Sequence, residues 1–228
     1  METEPTRRVF TALVLAGLIA GGGSAAVAKA PEPQVLVDAS TRTFNTMMAD
    51  KDMGWLRANI HRAKAVIIAP SVAKAGFVFG GSGGRAVLIV HNKAGVSSPI
   101  FYSLGTASIG FQAGVSESQI LTLVMTDTAL ASVLKGNFKV GGDASAAIGP
   151  VGGGAKADVD AAFITYSRAK GLYGGVNFDG TKINIEEDWN AAYYGGKPVT
   201  PTDILAKGKV KPNPGADALR AAVRKYAG

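Results

Sequence analysis

Residues 65–90 read Ala65-Val66-Ile67-Ile68-Ala69-Pro70, a small polar bridge to Gly76-Phe77-Val78-Phe79, then Gly80-Gly81-Ser82-Gly83-Gly84-Arg85 and Ala86-Val87-Leu88-Ile89-Val90. Each apolar run is too short for a helix of ordinary length and is bounded by turn residues, the last ending near Asn92, which is the pattern of buried strands joined by turns. The first run is expected to end at Pro70, and Gly80-Gly81-Ser82-Gly83-Gly84 is expected to be a glycine-rich hairpin. Further strands are predicted over Phe101–Gly114, Ile120–Met125, Phe138–Val140, Val159–Tyr166, Leu172–Phe178 and Lys182–Ile185. The last two flank Asp179-Gly180, a pair that suits the positive φ angles of a tight hairpin turn.

Helices are predicted around this β region. Leu36, Val37, Phe44, Met47 and Met48 form one apolar stripe, and Trp55, Leu56 and Ile60 a second, between Met53 and Arg62. Asp127 caps a short helix that runs to Leu134, with Gly136 beyond its end. Another helix spans Ile185–Tyr194, and Thr200-Pro201-Thr202-Asp203 has the threonine, proline and carboxylate of a helix start. After a Lys-, Pro- and Gly-rich stretch, Leu219, Ala222, Val223 and Tyr226 recur at helical spacing with Arg220 and Arg224 opposite. The class expected is α+β: a single antiparallel β-rich domain, sandwich or barrel-like, with flanking short helices.

The composition limits the chemistry. The chain has 228 residues, 47% of them hydrophobic, so a substantial core is available. It has no cysteine, which removes disulfides, thiolate metal sites and cysteine nucleophiles. With His61 and His91 as its two histidines, it cannot build a multi-histidine zinc site. No metal or cofactor is expected. Gly80-Gly81-Ser82-Gly83-Gly84 matches the Gly-x-Ser-x-Gly nucleophile elbow by letters, but an elbow needs a following helix and Ala86–Val90 reads as a strand. Gly149-Pro150-Val151-Gly152-Gly153-Gly154 lacks the residues of a phosphate-binding loop. Asp158 and Asp160 share one face of a strand, a solvated face or a calcium or acid–base pair. Glu186-Glu187-Asp188 suits the first turn of a helix. Each histidine reads as a surface or boundary residue.

The amino terminus reads as an address. Arg7 and Arg8 precede a mildly apolar stretch over Thr11–Ala20, a Gly21-Gly22-Gly23 break and Ala26-Val27-Ala28, the order of a cleaved export signal. Thr6-Arg7-Arg8-Val9-Phe10 resembles a twin-arginine signal, although Thr11-Ala12 depart from its usual tail; an ordinary secretory signal containing two arginines is the alternative. Cleavage after Ala28 leaves a periplasmic or cell-envelope protein. Charge is uneven: residues 29–85 carry eight basic and four acidic groups, 86–196 carry seven and nine, and 197–228 carry seven and two. An exported chain with basic ends is expected to meet anionic phospholipid or a membrane surface, and no nucleic acid.

The stretch from Ala63 to Tyr194 resembles the SYLF domain family. The resemblance rests on Ala65-Val66-Ile67-Ile68-Ala69-Pro70-Ser71, Ala75-Gly76-Phe77, Gly80-Gly81-Ser82-Gly83-Gly84, Ser97-Ser98-Pro99, Gly105, Gly110-Phe111-Gln112-Ala113-Gly114, Gly149-Pro150 and Tyr166-Ser167 through Gly171-Leu172-Tyr173-Gly174-Gly175. The family usually has tryptophan before the Ser-x-Pro element, where this chain has Val96. The resemblance implies a non-catalytic module that binds membrane lipids, partly through an amphipathic segment before the domain. Actin-related activity belongs to some eukaryotic members.

Four segments are therefore expected: a signal peptide over 1–28, helices over 29–62, the SYLF-like β-rich domain over 63–206 and a basic linker with a helix over 207–228. For lipid contact the candidates are basic residues beside apolar ones: Arg57, Arg62 and Lys64 at one end, and Lys207, Lys209, Lys211, Arg220, Arg224 and Lys225 at the other. Leu219, Val223 and Tyr226 would add shallow insertion if the last helix is an anchor, or dock on the core if it is not. A hydrolase using Ser82 and a structural envelope protein are the competing readings. Protein partners are unknown.

Overall fold

The computed structural model describes residues 33–76, 79–92, 95–109, 114–141, 144–152, 161–169, 172–174 and 180–227. The signal-like stretch, Phe77-Val78, Asp158, Asp160 and residues 175–179, including Asp179 of the predicted hairpin, lie outside them. In chain order the elements are α1 (Pro33–Ala49), α2 (Gly54–Asn59), β1 (Ala65–Gly76), β2 (Phe79–Asn92), β3 (Gly95–Val96), β4 (Ile100–Ile109), β5 (Gly114–Val124) and α3 (Asp127–Lys135). There follow β6 (Phe138–Lys139), β7 (Ala146–Ile148), β8 (Phe163–Ala169), β9 (Leu172–Gly174), β10 (Lys182–Ile185), α4 (Glu187–Tyr193), α5 (Pro201–Leu205) and α6 (Asp217–Ala227). Short 3₁₀ turns flank α2 and precede α6.

The strands form one curled sheet in the order β6-β10-β4-β2-β1-β5-β8-β7, with β3 added to β2 and β9 to β8. Every pairing is antiparallel except β7 with β8. The apolar runs are continuous because both faces of the sheet are covered. Val66, Ile68, Val87 and Ile89 point to one core with residues of α1, α2, α4 and α6. Ala65, Ile67, Ala69, Ala86 and Leu88 point to the other, closed by α3 and α5. This is the α+β, antiparallel β-rich architecture expected, drawn into a half-barrel with short helices on both sides.

Two local expectations are corrected. β1 does not end at Pro70. Its register shifts by one residue against both neighbours there, between Ile68 and Ser71 on β2 and between Ala69 and Val72 on β5. A proline has no N–H to give to the ladder, and a bulge lets the strand continue without one. Nor is Gly80–Gly84 a hairpin turn: these residues pair with β1 on one side and β4 on the other. At least one glycine there has a packing reason, since a Cβ on Gly84 would stand 2.4 Å from the carbonyl oxygen of Ser71, beside the bulge.

Other differences are smaller. Thr126, not Asp127, caps α3, its hydroxyl accepting from Ala129 N at 3.1 Å. The segments around Asp179-Gly180 do not pair with each other among the described residues: β9 joins β8, whereas β10 joins β4 and β6. Ile185 belongs to β10, and the helix after it begins at Glu187. The capping box at Thr200 and Asp203 is formed as expected.

His91 is not at the surface. It is 4% exposed at the end of β2, and its Nε2 has no hydrogen-bond partner. Burial lowers its pKa from the ordinary 6.5, because the uncharged ring is the form the interior tolerates. The unfolded chain therefore binds this proton more readily than the folded one, so stability falls as pH drops below about 6.5 and is unaffected by this group above it. The melting temperature of the wild type should decline between pH 7 and 5 more steeply than that of His91→Gln; parallel pH profiles would remove His91 from the account.

Candidate functional site

The predicted basic residues fall into two kinds. Some are committed to the fold. Arg57 reaches back over the α1–α2 connection, its Nη1 donating to the carbonyls of Met48 (3.1 Å) and Asp50 and its Nη2 to that of Lys51 (3.3 Å). Arg220 spans from Asp217 (3.1 Å) to the Val96 carbonyl (3.3 Å), fastening α6 to the end of the sheet. Lys64 is paired with Asp127 at 3.0 Å, and Lys209, itself exposed, with Asp203 at 2.9 Å. Asp203 is held at a pKa of about 2, first by the Thr200 hydroxyl and then by Lys209.

The others face solvent. Lys207, Lys211, Arg224 and Lys225 are exposed, and so is Arg62, whose Nη1 donates to Asn59 Oδ1 at 3.2 Å. Lys225 Nζ stands 5.1 Å over the Tyr226 ring. The fold brings part of the two basic groups together, because α6 packs against the Ile60–Arg62 turn. Arg62, Arg224 and Lys225 thus belong to neighbouring elements, whereas the Lys207–Lys211 segment is tied back to α5 through Lys209.

Of the two roles left open for the apolar stripe of α6, the structure shows docking on the core. Leu219 and Val223 have no exposed surface and sit in the core beneath α1. Tyr226 packs edge-on against Phe44, ring centroids 6.1 Å apart. Helical spacing identifies an apolar stripe but not what covers it, and here α1 does. The stripe is therefore unavailable for insertion in this fold, and the outward face of α6 is basic.

The candidate catalytic groups do not converge. Ser82 lies inside β2, paired with Lys74 and Thr106, without the strand–turn–helix arrangement of an elbow. Glu187 and Asp188 occupy the first turn of α4, and Glu186 Oε2 is 3.7 Å from Arg85 Nε, whose guanidinium stacks 4.4 Å from the Trp189 ring centroid. His61 is exposed in its turn. Among the described residues no cluster of three His, Asp or Glu side chains could hold a metal ion, and no helix is long and apolar enough to cross a membrane. Gly149 has a structural reason: a Cβ there would lie 2.2 Å from Cζ of Tyr166.

The polar lock between α4 and β4 was missed. Asn190 is fully buried, accepts from Phe101 N at 3.0 Å and donates to the carbonyls of Phe101 (3.2 Å) and Glu186 (3.0 Å). A lone asparagine in a helical stretch gives no sequence signal of this.

Comparison with known proteins agrees with the fold-wide pattern of residues. The family model described as "Ysc84: Las17-binding protein actin regulator" matches residues 105–226, more than half of the chain. The chain is similar to LAS seventeen-binding protein 3 of Saccharomyces cerevisiae, at 30% identity over 168 residues covering 70% of this chain and 36% of that protein. It is similar to Protein YSC84 of the same organism, at 32% identity with 70% and 35% covered. Against human SH3 domain-containing YSC84-like protein 1 the identity is 30%, with 59% and 41% covered. The chain thus spans about a third of the length of the yeast relatives. No solved structure matches it.

Proposed function

The chain belongs to the Ysc84 family, and from that premise we propose that it is a non-catalytic binding module, exported by its amino-terminal signal, that adsorbs on anionic membrane surfaces. The observation that carries this reading is the division of α6: its apolar stripe is spent on the core, and Arg224 and Lys225 are left exposed on a carboxy-terminal segment with seven basic and two acidic residues. Such a surface binds by charge rather than by insertion. Arg62 extends the same charge, Lys207 and Lys211 add exposed charge beside α5, which packs on the other face of the sheet, and Arg57, Lys64, Lys209 and Arg220 contribute to the field from fixed positions. Export places the module in the periplasm or on the cell envelope, where anionic phospholipid supplies the partner.

The reading predicts a strong dependence on salt. Each cation close to an anionic membrane contributes about 1 kcal/mol, screened within a Debye length of about 10 Å at 0.1 M salt. Arg224→Glu with Lys225→Glu removes two such contributions and adds repulsion, so sedimentation with phosphatidylglycerol vesicles should weaken by about 30-fold or more at low salt. Both residues are exposed, and the melting temperature should hardly move. Equal vesicle binding by wild type and variant would sink the assignment of this surface.

A second reading has support in the name of one relative, LAS seventeen-binding protein 3, and in the family's description as Las17-binding: a surface that binds another protein. Retained partner capture with no vesicle binding at any salt concentration would favour it over the membrane.

A further inference from the structure

The outer edge of the sheet beyond β8 is built from two short strands laid end to end. β5 occupies one side of β8, pairing Val124 to Gln119 with Phe163 to Arg168. β7 pairs with Phe163, Ile164 and Thr165, and β9 with Ser167, Arg168 and Ala169. Since those residues already face β5 on one side, β7 and β9 must share the opposite one. They leave an outermost row that runs Ala146, Ala147, Ile148, then Gly174, Tyr173, Leu172.

Among the described residues this row lacks the devices that usually keep a sheet edge from pairing with another, such as a charge, a proline or a covering helix. None of its six residues is charged. Register fixes which way the side chains point. Phe163 belongs to the core closed by α3 and α5, so Ile148 and Leu172, opposite Thr165 and Ala169, stand on that same face. Ile148 is 52% and Leu172 76% exposed, and they are two of the three exposed large hydrophobic side chains among the described residues. A strand edge that no described residue pairs with, uncharged and flanked by protruding apolar groups, invites a further strand.

The geometry points to a second copy of this chain as the occupant. A twofold axis normal to the sheet, passing beside Tyr166, lays the edge of one copy against the edge of the other. β7 then meets the partner copy's β9, with Ala146 opposite Leu172, Ala147 opposite Tyr173 and Ile148 opposite Gly174. Each large side chain faces a small residue, twice over, and every pair lies on a common face. Because the row carries no charge, the basic chain meets itself without like charges opposed at the seam. The other end of the sheet offers no such match, since β6 is only Phe138–Lys139 and ends in a lysine.

The contact is small. Three backbone pairs on each side of the axis and four apolar side chains fall below the roughly 1,200–2,000 Å² of a standard stable interface, so the dimer is weak and concentration-dependent. It is isologous and closed, which stops the edge from propagating into a fibre.

Analytical ultracentrifugation of the mature chain from about 1 to 200 μM should show mass rising from monomer to dimer. Leu172→Lys and Ile148→Lys should each weaken the association by at least about tenfold while leaving the melting temperature unchanged, because both side chains are exposed. Register is tested by Ala146→Cys with Leu172→Cys in this cysteine-free chain. Within one copy the two positions lie opposite Phe163 and Ala169, six residues or about 20 Å apart along β8, far beyond disulfide reach. Mild oxidation should therefore give a covalent dimer and no internal bridge. A monomer throughout the concentration range, or a dimer that both lysine variants leave intact, overturns the proposal; a lysine-sensitive dimer that the cysteine pair fails to cross-link overturns its register. None of these outcomes depends on vesicle binding.

Discussion

Leu219→Ala combined with Val223→Ala should lower the melting temperature by roughly 10–20 °C. Both side chains are fully buried between α1 and the sheet, in the same core as Phe44, Val87 and Ile89. Truncating two such residues costs about 4–6 kcal/mol in lost burial and residual cavity, and a chain of this size loses about 2–4 °C per kcal/mol. Arg224 and Lys225, the surface proposed to meet the membrane, are untouched, so on that proposal the surviving folded fraction should bind phosphatidylglycerol as well as the wild type. The pairing with Arg224→Glu and Lys225→Glu is the point: one double variant moves stability without affinity, the other affinity without stability. If the truncation left the melting temperature intact and abolished binding, α6 would be an anchor and its docked position in this fold would be incidental.

What the sequence could and could not convey follows from the range of each interaction. Short apolar runs between glycines identify strands, because strand length and turn chemistry are local. The Thr200 capping box was readable for the same reason: its partners sit three residues apart. The bulge at Pro70 was not readable, since a proline that ends a strand and a proline that interrupts one look alike until the neighbouring strands are seen to shift together. Gly80–Gly84 misled in the same way. Five residues dense in glycine suggest a turn, yet they run inside β2, and at Gly84 the cause is a carbonyl oxygen 13 residues away in sequence.

The site shows the same division. Charge is countable from the sequence, and the basic carboxy-terminal segment is real. Which charges remain free is a tertiary property. Arg57 is consumed by three carbonyls of the preceding turn, and Arg220 by a carbonyl on β3. Arg224, four residues further along the same helix, is exposed. The stripe of α6 was visible by its period, but its partner, α1, lies at the other end of the described chain. Resemblance over many separate glycines and aromatics reached the family where no single string did, because their shared order reflects the whole sheet.

Asn190→Leu should be about as damaging as a core truncation, although it removes only a polar group. β10 pairs with β4 as far as Tyr102, and just beyond it Glu186 N donates to the Phe101 carbonyl at 3.0 Å, so on the outer edge of Phe101 it is the N–H that the backbone leaves open. The Asn190 amide supplies that acceptor: its oxygen accepts from Phe101 N, its nitrogen adds a second donor to Phe101 O, and the same nitrogen holds Glu186 O one turn back. Leucine fits the volume but leaves the Phe101 N–H buried with no acceptor. An unsatisfied buried donor costs about 1–3 kcal/mol and each lost hydrogen bond about 1 kcal/mol more, giving roughly 3–5 kcal/mol in all. The melting temperature should fall by about 6–20 °C. Loss should spread to α4, because Trp189 and Tyr193 reach Phe101 from the same helix, with ring centroids 6.1 and 5.0 Å away. Gln119→Leu is the matched control. Its amide bonds Thr43 and Arg168 at the half-buried margin of the sheet, where water can replace the lost partners, and it should cost under about 1 kcal/mol. Similar losses in the two variants would mean that Asn190 is no lock, and that α4 is held to β4 by its aromatic packing alone.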